Sequence, residues 1–161
     1  MMSKVSKRGK FNWSRVYRTL LPVLGHSDPA NGETNKVFIL EDTRTIALGG
    51  GRQTGKTGWI ISEVLSDDDT IMICRDKPER DMAVAEFKKQ YGAGGALKSR
   101  RKFFTANDLE SMDQAKLAKI LKKTKRVFID DAQHNHKLTL IYNYLAMHMD
   151  IRTAIVVKVG T

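Results

Sequence analysis

Eight consecutive residues, Gly50-Gly51-Arg52-Gln53-Thr54-Gly55-Lys56-Thr57, match the pattern G-x-x-x-x-G-K-[ST] at every defined position. The chemistry this pattern serves is phosphate binding. Gly50, Gly51 and Gly55 let the backbone curl so that successive N–H groups face an anion, with Arg52, Gln53 and Thr54 completing the loop. Lys56 is placed to reach the β and γ phosphates of a nucleotide, and the Thr57 hydroxyl to ligate Mg²⁺. A site that hydrolyses needs a second element: a carboxylate at a strand end to fix the metal, and another to orient water. The string "RVFIDDAQ" (126–133) supplies both, with Asp130 on the metal side and Asp131 as the candidate base. Asp131 is one methylene shorter than the glutamate usual at that place in hydrolysing enzymes, so turnover is expected to be slow or the role to fall elsewhere.

These residues work only if a strand delivers the glycine run to a helix, where the first-turn N–H groups and the helix dipole add to the cradle. The flanking sequence predicts that context. "KVFIL" (36–40) and "TRTIALG" (43–49) read as two strands joined by a turn at 41–43, and "KTGWIISEVLSD" from Lys56 has helical spacing. The alternation continues with a strand at 70–74, a helix at 76–92 with Pro78 near its start, and a strand at 102–106. A helix at 107–123, a strand at 126–130, a helix at 137–149 and a strand at 152–160 follow. Before this series, residues 11–24 carry a helical stripe of Trp13, Tyr17, Leu20 and Leu21 that Pro22 ends or kinks. Strands alternating with helices predict an α/β, three-layer fold: a mostly parallel sheet with helices on both faces.

The 161 residues suit one domain, and a composition of 41% hydrophobic and 29% charged residues is that of a soluble globular chain. Residues 1–10 read as a basic arm and 11–161 as the domain. No apolar run is long enough for a membrane span and no secretory signal is visible, so no membrane partner is expected and the cytoplasm is the expected compartment. One cysteine, Cys74, excludes an internal disulfide and reads as a small buried hydrophobe, while His134 and His136 read as loop residues rather than metal ligands. Lys and Arg outnumber Asp and Glu by 28 to 18, a net charge of +10, which favours polyanion partners. The charge is clustered in the N-terminal arm, in "KSRRK" (98–102) and in 116–126, a distribution that points to nucleic acid.

With both motifs placed, residues 36–161 resemble the additional-strand, RecA-like class of P-loop NTPases. "DDAQ" (130–133) is similar to the DExx box of helicases, and "RQTGKT" (52–57) to the phosphate loop of viral large terminases, the ATPases of DNA packaging. The resemblance implies Mg-dependent ATP hydrolysis with Lys56, Asp131 and Arg52 as catalytic residues, Arg52 acting on the γ-phosphate in cis. It implies nucleic-acid contacts, to DNA more than RNA, from Arg75, Lys77 and Arg80 in "CRDKPERDMA" (74–83), with Lys98, Arg100 and Arg101 as further basic candidates. Gln133 and Thr161 are the implied γ-phosphate sensors, and the host cytoplasm the compartment if the protein is viral. Helicases of this kind close the site with a second RecA-like domain, and terminases add a nuclease, so motor work is expected to need a homo-oligomer or a partner protein. Two other functions fit fewer residues: a nucleotide-dependent nucleic-acid-binding accessory protein with little hydrolysis, suggested by Asp131, and a small-molecule kinase, for which "KSRRK" is the sole candidate lid.

Overall fold

A computed structural model describes residues 12–24, 35–49, 55–92 and 102–160. Five short runs rich in β-branched and aromatic residues form strands: β1 (Thr45–Leu48), β2 (Thr70–Cys74), β3 (Phe103–Thr105), β4 (Arg126–Ile129) and β5 (Ile155–Val159). They pair in the order β1-β5-β4-β2-β3, and every pair is parallel. Parallel neighbours require crossovers, which helices supply. The helices are α1 (Trp13–Leu20), α2 (Lys36–Thr43), α3 (Lys56–Ser66), α4 (Lys77–Tyr91), α5 (Ala106–Ser111), α6 (Gln114–Lys123) and α7 (Leu138–His148).

Alternation along the strands divides the apolar residues between two cores. Val127 and Ile129 of β4 face one side with Ile73, Val156, Leu40 of α2, Leu117 of α6 and Tyr142 of α7. Phe128 faces the other with Met72, Val157, Ile60 of α3 and Phe87 of α4, where α1 adds Trp13 and Tyr17. The helices leaving β1 and β2 toward one sheet edge cover the second face; those on the way back through β3 and β4 cover the first. That is the distribution right-handed crossovers impose. Phe128 and Tyr142 are wholly buried, and each such side chain contributes about 1.5–3 kcal/mol by leaving water, so the three-layer centre holds the strand ends in place.

Two sequence expectations are corrected. Residues 36–40 are the body of α2, not a strand: the Asn35 side chain accepts the Val37 N–H (3.0 Å) as an N-cap, and Ile39 and Leu40 are buried. The expected turn at 41–43 is that helix's last turn, closed by the Thr43 hydroxyl donating to the Ile39 carbonyl at 2.7 Å. The single helix expected over 107–123 is two. α5 starts with a capping box between Thr105 and Asp108, and Asp113 starts α6 by accepting the Lys116 N–H at 3.0 Å. Elsewhere the expected elements stand within a few residues, and Pro22 sits in a 3-10 turn (Leu21–Val23) that ends α1. Among the described residues no helix is long and apolar enough to cross a membrane.

Candidate functional site at the carboxyl edge of the sheet

In open parallel sheets ligands bind beyond the carboxyl ends of the strands, where neighbouring connections leave to opposite faces. Here β1 hands the chain to α3 on one face while β4 hands it to α7 on the other. Gly55 starts α3 with a left-handed φ of +76°, a conformation that glycine adopts without strain, and Lys56 and Thr57 occupy the first turn. From there the Thr57 hydroxyl donates to Asp130 Oδ2 at 2.7 Å, joining two motifs 73 positions apart. Asp130 is only 4% exposed, and its Oδ1 accepts the N–H of Asp131 at 2.9 Å. A buried carboxylate whose hydrogen-bond donors are a hydroxyl and an amide is costly without a counter-charge. Hydroxyl and carboxylate oxygens side by side are a donor set that fits Mg²⁺, which takes its remaining ligands from phosphates and water.

Asp131 stands differently. Its φ of +48° is left-handed, and its carboxylate is engaged at both oxygens: Oδ1 with His134 Nδ1 at 2.7 Å, Oδ2 with the Arg75 guanidinium at 2.5 Å. Burial alone would raise the Asp131 carboxyl, but the His134 and Arg75 hydrogen bonds outweigh it and hold it below the usual range. Behind Asp131 lies Gly160 at the end of β5, where a Cβ would stand 3.3 Å from the Asp131 Cα.

A third carboxylate, Glu79 of α4, lies against Asp130. Burial first, and the Asp130 charge second, push it up to about 7, opposed by the Arg75 N–H that its Oε2 accepts at 2.5 Å. Sequence reasoning passed over Glu79. The signal it offered, Asp76-Lys77-Pro78-Glu79 as an N-cap followed by glutamate at the third helical position, reads as an ordinary helix start. Asp76 does cap, accepting the Glu79 N–H at 2.9 Å, and the Glu79 carboxylate reaches back past the cap to the Arg75 N–H, where the Asp130 charge acts on it.

Beside these carboxylates is a groove of about 650 Å³ whose lining includes Arg75, Lys77, Arg80, His134 and Lys137. The three basic residues expected from 74–83 are therefore together, on one rim. Arg80 is fixed there by both Asp108 oxygens at 2.7 Å, and Lys137 by Asn107 (2.8 Å) and Glu110. Asn135, also in the lining, keeps its buried Nδ2 without an acceptor among the described residues.

Gly50, Gly51, Arg52, Gln53, Thr54, Lys98, Arg100, Arg101, Thr161 and the arm 1–10 lie outside the described residues. Gln133 is exposed in a 3-10 turn, and its backbone N–H donates to the Gly160 carbonyl at 3.3 Å. Of the two further basic runs, the lysines that are described and placed lie away from the site. Lys102 is buried and caps the end of α3 by donating to the Val64 (2.8 Å) and Asp67 (2.6 Å) carbonyls, and Lys116, Lys119 and Lys123 line a hollow with Ile71 at the opposite edge of the sheet. Trp13, Tyr17 and Cys74 are buried, as their apolar spacing suggested. Comparison with protein-family models, curated proteins and solved structures finds no match to this chain.

Proposed function

We propose that the chain is a nucleic-acid-stimulated, Mg-dependent ATPase of the additional-strand, RecA-like P-loop class. The observation that carries this reading is the 2.7 Å hydrogen bond between Thr57 and Asp130, which unites a phosphate-loop pattern with an acidic strand end at a parallel sheet's carboxyl edge. The strand order adds support, because β5 is interposed between the strand of the glycine loop and the strand of the acidic motif.

In this reading the first-turn N–H groups of α3 and the glycine loop hold the phosphates, and Lys56 neutralises β and γ oxygens. Bound Mg²⁺ supplies charge stabilisation on the transferring phosphoryl group, and Thr57 and Asp130 are the residues that hold it. Arg52 offsets charge developing on the γ-phosphate, and Gln133 and Thr161 sense it, roles that rest on the resemblance alone. The basic rim of Arg75, Lys77 and Arg80 takes the sugar-phosphate backbone, with DNA favoured over RNA on the terminase likeness. Packaging or helicase work in the cytoplasm, with an oligomer or a partner completing the machine, is the wider form of the proposal.

One observation favours a second reading, a nucleotide-gated nucleic-acid-binding protein with little turnover: Asp131, where the water-orienting carboxylate is expected, is already bound at both oxygens. Steady-state phosphate release from Mg-ATP, with and without single- and double-stranded DNA, separates the two. Turnover stimulated by DNA and abolished in Lys56→Ala is the expected result. ATP binding that depends on Lys56 without phosphate release would leave the binding protein.

A further inference from the structure

Three carboxylates meet at the end of β4, and their surroundings differ enough to assign them separate work. Asp130 faces Thr57 and holds the metal position. Asp131 is fenced in: its backbone is left-handed, the end of β5 stands against its Cα, and its two oxygens are taken by His134 and Arg75. Arg75 and His134 both line the groove, so the Asp131 carboxylate is committed to that side.

Glu79 has the opposite placement. It projects from α4, which packs on the same face of the sheet as α3, and its Oε2 accepts the N–H of Arg75, whose guanidinium in turn reaches Asp131, so that the Glu79 carboxylate stands at the end of β4 beside the Asp130 charge. Its side chain is one methylene longer than that of Asp131. Its backbone is steadied on both sides: Asp76 caps its N–H at 2.9 Å, and the next residue, Arg80, is bound by both oxygens of Asp108. A carboxylate on a rigid helix start, with its neighbours anchored, is held with the precision that water positioning needs. Its Oε2 takes the Arg75 N–H, and among the described residues Oε1 has no backbone donor.

We propose that Glu79, and not Asp131, orients the attacking water in the hydrolysis proposed above, while Asp131 holds Arg75 and His134 at the groove. This rests on the ATPase reading. The water oxygen bonds to the γ-phosphorus, and the bond from that phosphorus to the β–γ bridging oxygen breaks. ADP leaves with the electron pair, and the proton of the water departs along its hydrogen bond to the Glu79 carboxylate. The products are ADP and inorganic phosphate, with no further reactant. The glutamate missing after Asp130 in the chain is thus supplied from the neighbouring strand's helix.

The test compares phosphate release and binding of a fluorescent ATP analogue in the wild-type protein, Glu79→Gln, Glu79→Asp, Asp131→Asn and Lys56→Ala, each with Mg²⁺ and a single-stranded DNA oligonucleotide. The expected result is a loss of at least about 100-fold in kcat for Glu79→Gln, with analogue affinity within about threefold of wild type and partial recovery in Glu79→Asp. Asp131→Asn should weaken binding of the DNA oligonucleotide, because it frees Arg75 and His134 at the groove, and should lower kcat less than Glu79→Gln does; a kcat loss in Asp131→Asn equal to or larger than that in Glu79→Gln overturns the assignment. A Glu79→Gln variant that turns over like wild type, or one that loses analogue binding as well, overturns the assignment while the ATPase reading stands. Wild-type protein with no Lys56-dependent phosphate release sinks that reading, and the role of Glu79 with it.

Discussion

The two ends of β4 both gather charged side chains, and they are built on different rules. At its start, Arg126 donates to Glu63 at 3.2 Å, to Asp67, to the Thr70 hydroxyl at 3.1 Å and toward the Tyr17 hydroxyl, while its side chain is only 14% exposed. Every contact there joins opposite or complementary groups. At the other end two carboxylates, Asp130 and Glu79, are set against each other, while Asp131 next in the chain is paired with Arg75 and His134. Charges that satisfy one another fasten a structure. Like charges kept together against their repulsion are a mark of functional sites, and under the proposed ATPase reading a cation and phosphates would relieve them.

Asp130→Asn breaks the contrast hardest. It removes the carboxylate proposed to hold Mg²⁺ and should lower phosphate release about 1,000-fold, near 4 kcal/mol of barrier, while relieving repulsion on Glu79 and raising the apo protein's melting temperature at pH 7. Arg126→Met attacks the other end. Leaving Glu63 without its partner should cost about 2 kcal/mol in urea unfolding, less than for a fully buried pair because Asp67 is half exposed, with turnover per folded molecule kept.

The ends should also part in their response to pH. Glu79 titrates near the ordinary 4.5 when unfolded and about 7 when folded, so between those values the folded protein holds the extra proton and its stability falls as pH rises. Melting without nucleotide should show this decline, and Asp130→Asn should flatten it. Asp131 runs the other way, its lowered carboxyl contributing stability that is lost as pH falls into the acid range. Arg75→Gln is the mildest change: the arginine side chain is 45% exposed and solvent screens its ion pairs, so unfolding should barely move while DNA affinity drops and its salt dependence weakens.

Much of this arrangement could be read from residues. The helix opening at Lys56, the strand ending at Ile129, Asp130 after it and the gathering of the basic residues at 75–80 all announced themselves by local pattern. What could not be read was of two kinds. Lys36–Leu40 is short, apolar and β-branched, a run whose period does not separate a buried strand from a helix, and the deciding feature was one asparagine side chain turned onto its own backbone. Glu79 was hidden because its partner is 51 positions away, on a strand brought alongside only by the order β4-β2. The same limit explains Lys102 and Arg126, which a charge count lists as free positive charge and the fold turns into a helix cap and an inward clasp.

Gly160 donates its N–H to the Leu48 carbonyl at 3.0 Å, accepts the Gln133 N–H, and leaves open the space that the Asp131 Cα occupies. In a library of all single substitutions, position 160 should therefore be as intolerant as any core position although it presents no side chain. Its neighbour inherits a narrower vocabulary. A residue at 131 must accept a left-handed backbone, which asparagine, aspartate and glycine do most readily. The short acid at that position is then what the backbone permits, and sequences that drift toward glutamate there would have to rebuild the end of β5 first.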